Sequence, residues 1–141
     1  MKKIIVETVS LLTILLFVYA ATSKLLDYEK FIIQLGKSPV LAAFAHWIAW
    51  CIPSLEIGIA FLLVFKRTQL IALYAAFTLM VVFSAYIICI LNFSEYIPCS
   101  CGGILENLSW AQHLWFNIIF VMLCALSVMF YPEKQQEIIG R

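Results

Sequence analysis

Cys99 and Cys101 stand one residue apart, preceded by Pro98 and followed by Gly102 and Gly103. Two thiols so spaced can close a disulfide across a single residue, a small ring that strains the bond and makes it easy to reduce. Pro98 fixes the backbone on the approach, and the two glycines let it turn while leaving the sulfurs accessible. Redox chemistry is the reading this pattern favours. Metal ligation and an inert structural disulfide remain open, because a Cys-X-Cys pair alone is only moderately specific.

Three further cysteines lie in apolar sequence. Cys51 and Cys89 fall at similar depths near the same ends of two helical stretches, so they could relay electrons from the loop dithiol toward a lipid-soluble quinone. A buried free cysteine is more often simply a small hydrophobe, and Cys124, deep in the last apolar stretch, is read as inert. Glu56 sits near the middle of an apolar helix, where a carboxylate costs about 2.5–3.5 kcal/mol unless it faces the bundle interior with a partner. It is either a proton carrier or quinone hydrogen-bond partner, or a structural lock bonded to Tyr19 or reached by Lys24. Pro53, one turn earlier, cannot donate a backbone hydrogen bond and can kink its helix. Glu7 lies close to Lys2 and Lys3 and is explained by snorkelling. His113 and Asn117 are four apart, hence on one helical face. His113 could modulate a thiolate near Cys101, since a neighbouring imidazolium lowers a thiol pKa, or serve as an interfacial anchor. His46 is placed at similar depth, and a soft-metal site from Cys99, Cys101, His113 and His46 is conceivable without any established ligand spacing.

These residues must be positioned by membrane-spanning helices. The 141-residue chain is 65% hydrophobic and only 12% charged, with a mean hydropathy of +1.02, whereas soluble domains run at about 45–50% apolar and about a quarter charged. A net charge of +1 and the lack of a basic cluster exclude a nucleic-acid partner. Length allows one domain, residues 1–141. A bilayer core needs roughly 20 mostly apolar residues per helix, and four stretches qualify: Ile4 to Ala21, His46 to Phe65, Gln69 to Leu91 and Gln112 to Tyr131. The expected fold is therefore an all-α, four-transmembrane-helix bundle.

Lys and Arg in short loops set orientation. Lys2, Lys3, Lys66, Arg67, Lys134 and Arg141 fall on one side, Lys24, Lys30 and Lys37 on the other, and the 92–111 connection has neither Lys nor Arg. Both termini are thus expected in the cytoplasm of a bacterial inner-membrane protein, with the Cys-X-Cys loop facing the oxidising exterior. Trp47, Trp50, Trp110 and Trp115 then cluster at the outer interface, where amphipathic rings are favoured. A cleaved signal peptide at Lys2 to Ala20 is a competing reading, but the apolar run is long for one and Glu7 interrupts it. In the first outer loop, Leu25, Leu26, Phe31, Ile32 and Leu35 repeat at near-helical spacing among charges. This predicts a short amphipathic helix on the surface, ended by Gly36 and Pro39, though a plain connector is not excluded by pattern alone.

Four segments carry a family likeness. Phe17-Val-Tyr-Ala-Ala-Thr-Ser-Lys-Leu-Leu-Asp-Tyr-Glu-Lys-Phe31 and Pro53-Ser-Leu-Glu-Ile-Gly-Ile-Ala-Phe-Leu-Leu63 resemble the DoxX-like superfamily. Ile97-Pro-Cys-Ser-Cys-Gly-Gly103 and Leu108-Ser-Trp-Ala-Gln-His-Leu-Trp-Phe-Asn117 are similar to its MauE branch, methylamine-utilisation membrane proteins. The resemblance implies a four-helix inner-membrane protein that supports maturation of methylamine dehydrogenase, a disulfide-rich client, together with a thioredoxin-like partner. On matching positions it makes Cys99 and Cys101 the redox pair, with Lys24, Pro53 and Glu56 shared helix residues.

Two classes of function follow. One is a membrane thiol–disulfide oxidoreductase that exchanges disulfides with an exported client or thioredoxin-like protein and passes electrons to quinone. The other is a non-catalytic maturation or assembly factor; a metal-handling protein is a third, weaker reading.

Overall fold

The computed structural model describes residues 1–39, 41–93, 109–132 and 137. Five α-helices and one short 3-10 turn account for most of them: α1 (Lys2–Leu26), α2 (Tyr28–Lys37), the 3-10 turn Ala42–Phe44, α3 (Ala45–Val64), α4 (Gln69–Phe93) and α5 (Trp110–Met129). Four of these, with the 3-10 turn extending α3 backward to Ala42, are long and apolar enough to cross a membrane.

The spans agree with the sequence reading in number and place, but their ends shift. α1 runs past Ala21 to Leu26, so Leu25 and Leu26 belong to the first span and not to the loop helix. The chain breaks at Asp27, and α2 then runs to Lys37, one residue beyond Gly36. α5 starts at Trp110, two residues before the expected Gln112. The reason for the early start is a reciprocal cap: the Gln112 backbone N–H donates to Ser109 Oγ at 3.3 Å, and the Ser109 N–H donates to Gln112 Oε1 at 2.9 Å. Two of the orphan donors at a helix start are satisfied this way.

α1 packs chiefly on α3 and α4 on α5, while α3–α4 and α1–α5 contacts close the bundle. Lipid offers no hydrophobic drive between helices, so close backbone approach at small residues and side-chain hydrogen bonds hold such bundles together. Both devices are present. Ala21, Ala49, Ala72 and Ala76 are completely buried. Buried Gln69 Nε2 donates to Ser10 Oγ at 3.0 Å, joining α4 to α1.

Two apolar cores result among the described residues. The larger gathers Val6, Val9 and Phe17 of α1, Leu63 of α3, Leu73 and Met80 of α4 and Cys124 of α5. The smaller lies at the end away from the N-terminus, where Phe31 and Leu35 of α2 seat against Ala45 and Ala49 of α3. The Tyr28 and Trp50 rings, 5.4 Å apart and tilted by 50°, extend that contact. Phe31 and Leu35 are four apart and therefore share a face of α2, while Lys30, Ile33 and Lys37 are exposed.

At the terminal end, Lys66 Nζ donates to Glu7 Oε1 at 2.8 Å, with Lys3 at 4.0 Å from the same oxygen. Tyr131 Oη donates to the Lys66 carbonyl at 3.4 Å. The α3–α4 turn is thereby tied to both the first and last spans.

Candidate functional site

The chemistry-bearing groups of the spans converge at the end opposite the termini. Lys24, in the last turn of α1, donates from Nζ to Glu56 Oε1 on α3 at 2.6 Å. Both side chains are almost wholly enclosed, with 10% of Lys24 and 1% of Glu56 exposed. Of the two partners the sequence offered Glu56, the structure brings Lys24. A carboxylate in mid-span needs a counterion, and the flexible lysine stem reaches inward from near the helix end to supply it. Pro53 is fully buried one turn before Glu56 and has no N–H with which to bond Ala49.

The ammonium also lies over two aromatic rings, 5.4 Å from the Phe83 centroid and 6.0 Å from that of Phe31. These distances fall within the range of cation–π attraction. α1, α2, α3 and α4 therefore each contribute to one cluster about Lys24. Glu56 Oε2 is buried and has no hydrogen-bond partner among the described residues.

Beside this cluster is a cavity of about 300 Å³. Among the described residues Lys24 is the one charged residue of the lining; Phe31, Phe83, Tyr86 and Trp110 give it aromatic walls, and Leu35 and Ile87 add aliphatic ones. Cys51 and Val82 line it as well, and both are exposed, so the wall reaches the bundle surface between α3 and α4. No periodicity announces such a cavity. The signal that could have found it is the recurrence of Phe83, Tyr86 and Ile87 on one face of α4.

The other sequence candidates are distributed over the bundle. Cys51 is on the cavity wall, whereas Cys89 is exposed on α4 and is not part of the lining. Neither they nor Cys124 are in a disulfide. Cys124 is fully buried, with its sulfur 3.9 Å from Thr13 Oγ1. His113 is half-buried on the first turn of α5 and stacks on Trp110, the ring centroids 6.3 Å apart and the planes 12° from parallel. Its Nδ1 and the Nδ2 of buried Asn117 lack partners among the described residues. His46 is exposed at the start of α3. Among the described residues no three His, Cys, Asp or Glu side chains come together. Trp47, Trp50 and Trp115 are strongly exposed, while Trp110 is turned inward to the cavity.

The expected redox pair, Cys99 and Cys101, lies outside the described residues. Its connection, 94–108, leaves α4 at Phe93 and meets α5 just before the Ser109 cap. Residues 2–130 match the family described as methylamine utilisation protein MauE. No curated protein and no solved structure gives a match.

Proposed function

This chain belongs to the MauE family of methylamine utilisation proteins, and from that membership we propose that it exchanges disulfides with an exported protein through Cys99 and Cys101. The observation that carries the reading is the pair itself: two thiols one residue apart, between Pro98 and Gly102-Gly103, on the connection between the last two spans of a multi-pass membrane protein. The Lys and Arg distribution supports placing that connection outside the cytoplasm of a bacterial inner membrane, where disulfides persist. The same distribution would lay α2 on the outer surface, its apolar face toward the bundle.

The exchange conserves electrons. A thiolate of the client attacks the Cys99–Cys101 disulfide, forming a mixed disulfide and releasing the other loop cysteine as thiolate. A second client thiolate then attacks the mixed disulfide, so the client leaves oxidised and the loop leaves as a dithiol. Two electrons and two protons passed from the dithiol to a quinone restore the disulfide and yield quinol. His113, at the start of the helix that follows the loop, is placed in sequence to act on the loop thiolate. The partner is a disulfide-containing client, of which methylamine dehydrogenase is the family's example, or a thioredoxin-like protein that serves it.

Trapping tests this. Cys101→Ser and Cys99→Ser single variants, expressed in cells and quenched with acid, should differ in the mixed disulfides they accumulate, and one should hold a covalent partner identifiable by mass spectrometry. The double variant Cys99→Ser/Cys101→Ser should hold none and should leave client disulfides unformed. Full maturation of client disulfides by the double variant overturns the proposal in favour of a non-catalytic assembly factor.

A further inference from the structure

We propose that the cavity between α2, α3 and α4 is the binding site for a lipid-soluble quinone, with its ring among the aromatic side chains and a carbonyl oxygen accepting a hydrogen bond from Lys24. The assignment deepens the dithiol reading and rests on it for the choice of a two-electron acceptor. The properties of the ligand come from the cavity.

Charge comes first. Lys24 is the cavity's cation, and Glu56 at 2.6 Å cancels it. With no net charge among its described residues and mostly apolar walls, the site does not favour an anionic headgroup or a fatty-acid carboxylate, whose desolvation it would not offset. It does favour a neutral molecule with an acceptor. An ammonium has three N–H donors, and Glu56 Oε1 takes one, so a carbonyl can take another.

Shape is the second constraint. A volume of about 300 Å³ is at the lower end of small-molecule pockets and suits one ring rather than a folded lipid. Phe31 of α2, Phe83 and Tyr86 of α4 and Trp110 of α5 supply aromatic lining from three helices, and aromatic groups prefer offset or edge-on contact with such a ring. Acyl chains gain nothing from that geometry.

Access is the third. Phe83 is ten residues from the end of α4, about 15 Å along the helix, which is hydrocarbon depth in a bilayer core of about 30 Å. The exposed wall residues Cys51 and Val82 put the opening between α3 and α4, toward lipid. A quinone would enter sideways and leave its isoprenoid tail along the bundle surface.

The probe is an azido derivative of a short-chain ubiquinone, photolysed with the purified full chain in lipid nanodiscs and mapped by mass spectrometry. Label is expected on peptides from α2, the first half of α3 and the second half of α4, displaced by decylubiquinone and not by decylbenzene. Val82→Trp fills the cavity from an exposed position and should lower decylubiquinone affinity by at least roughly tenfold without changing the melting temperature. Lys24→Met/Glu56→Leu, which removes both charges together, should lower it by roughly tenfold through the lost donor. Cys99→Ser/Cys101→Ser should label like the native chain. Equal displacement by decylbenzene, label spread evenly over the lipid-facing surfaces, or unchanged affinity in Val82→Trp overturns the site. Mixed disulfides without competed label leave the exchange reading standing and remove the cavity assignment; competed label without mixed disulfides does the reverse.

Discussion

At the scale of single residues, two ion pairs of the same type are expected to behave differently. Glu7 and Lys66 meet at the bundle end with roughly half of each side chain exposed, and exposed pairs are worth about 0–1 kcal/mol. Glu7→Gln should therefore shift the unfolding free energy in detergent by under about 1 kcal/mol. Lys24 and Glu56 are enclosed, and removing one member leaves a buried charge alone, which costs about 3–5 kcal/mol. Lys24→Met and Glu56→Leu are each expected to destabilise on that scale, and Lys24→Met/Glu56→Leu to recover much of the loss. Thermal unfolding of the four proteins closes this double-mutant cycle; additive losses would show that the two groups are not coupled. The pair was half legible in the sequence. A carboxylate in mid-span demands a partner, which limited the choice to Tyr19 and Lys24. Nothing in one-dimensional spacing says how far a lysine stem bends inward, so only the fold decides. Glu7 shows the same limit: the sequence places Lys2 and Lys3 nearby, and Lys3 does lie 4.0 Å away, but the closer Lys66 is brought in by the α3–α4 turn.

Among the elements, hydropathy identified the four spans because lipid requires long uninterrupted apolar helices. Their ends were less legible. The first span continues five residues past Ala21 because Thr22, Ser23 and Lys24 remain helical while Lys24 points back to Glu56. The start of α5 could have been read from Ser109-x-x-Gln112, a capping-box pattern that the apolar count passes over. Ser109→Ala should cost about 1 kcal/mol and raise amide exchange in the first turn of α5 alone. α2 is a separable element: its contacts run mainly to α3 through Phe31 and Leu35. Leu35→Asp is expected to place a charge against Ala45 and Ala49, release α2 and speed hydrogen exchange over residues 28–37, while α4 and α5 keep their protection. Exchange that rises equally throughout would mean that α2 is integral to the bundle and not an attachment to it.

For the whole molecule, the arrangement has a direction. The terminal end holds the larger apolar core, Cys124 and the Glu7–Lys66 tie; the opposite end holds the Lys24–Glu56 pair, the cavity, His113 and the two helix ends from which the cysteine loop departs. The proposed exchange requires that end to face the oxidising compartment. The charge rule supports this through Lys66 and Arg67 in the α3–α4 turn, set against a 92–111 connection without Lys or Arg. In a chain carrying Cys51→Ser, Cys89→Ser and Cys124→Ala, a membrane-impermeant maleimide applied after mild reduction should label Cys99 and Cys101 in intact spheroplasts. The complementary chain, with all five native cysteines replaced and Arg67→Cys added, should label only after lysis. Because the two reporters sit at opposite ends of the same helices, each checks the other: both must reverse together if the molecule is inverted. Labelling of Cys99 and Cys101 only after lysis would put the thiols among cytoplasmic reductants, where a strained disulfide would not persist, and disulfide donation to an exported client would have no route.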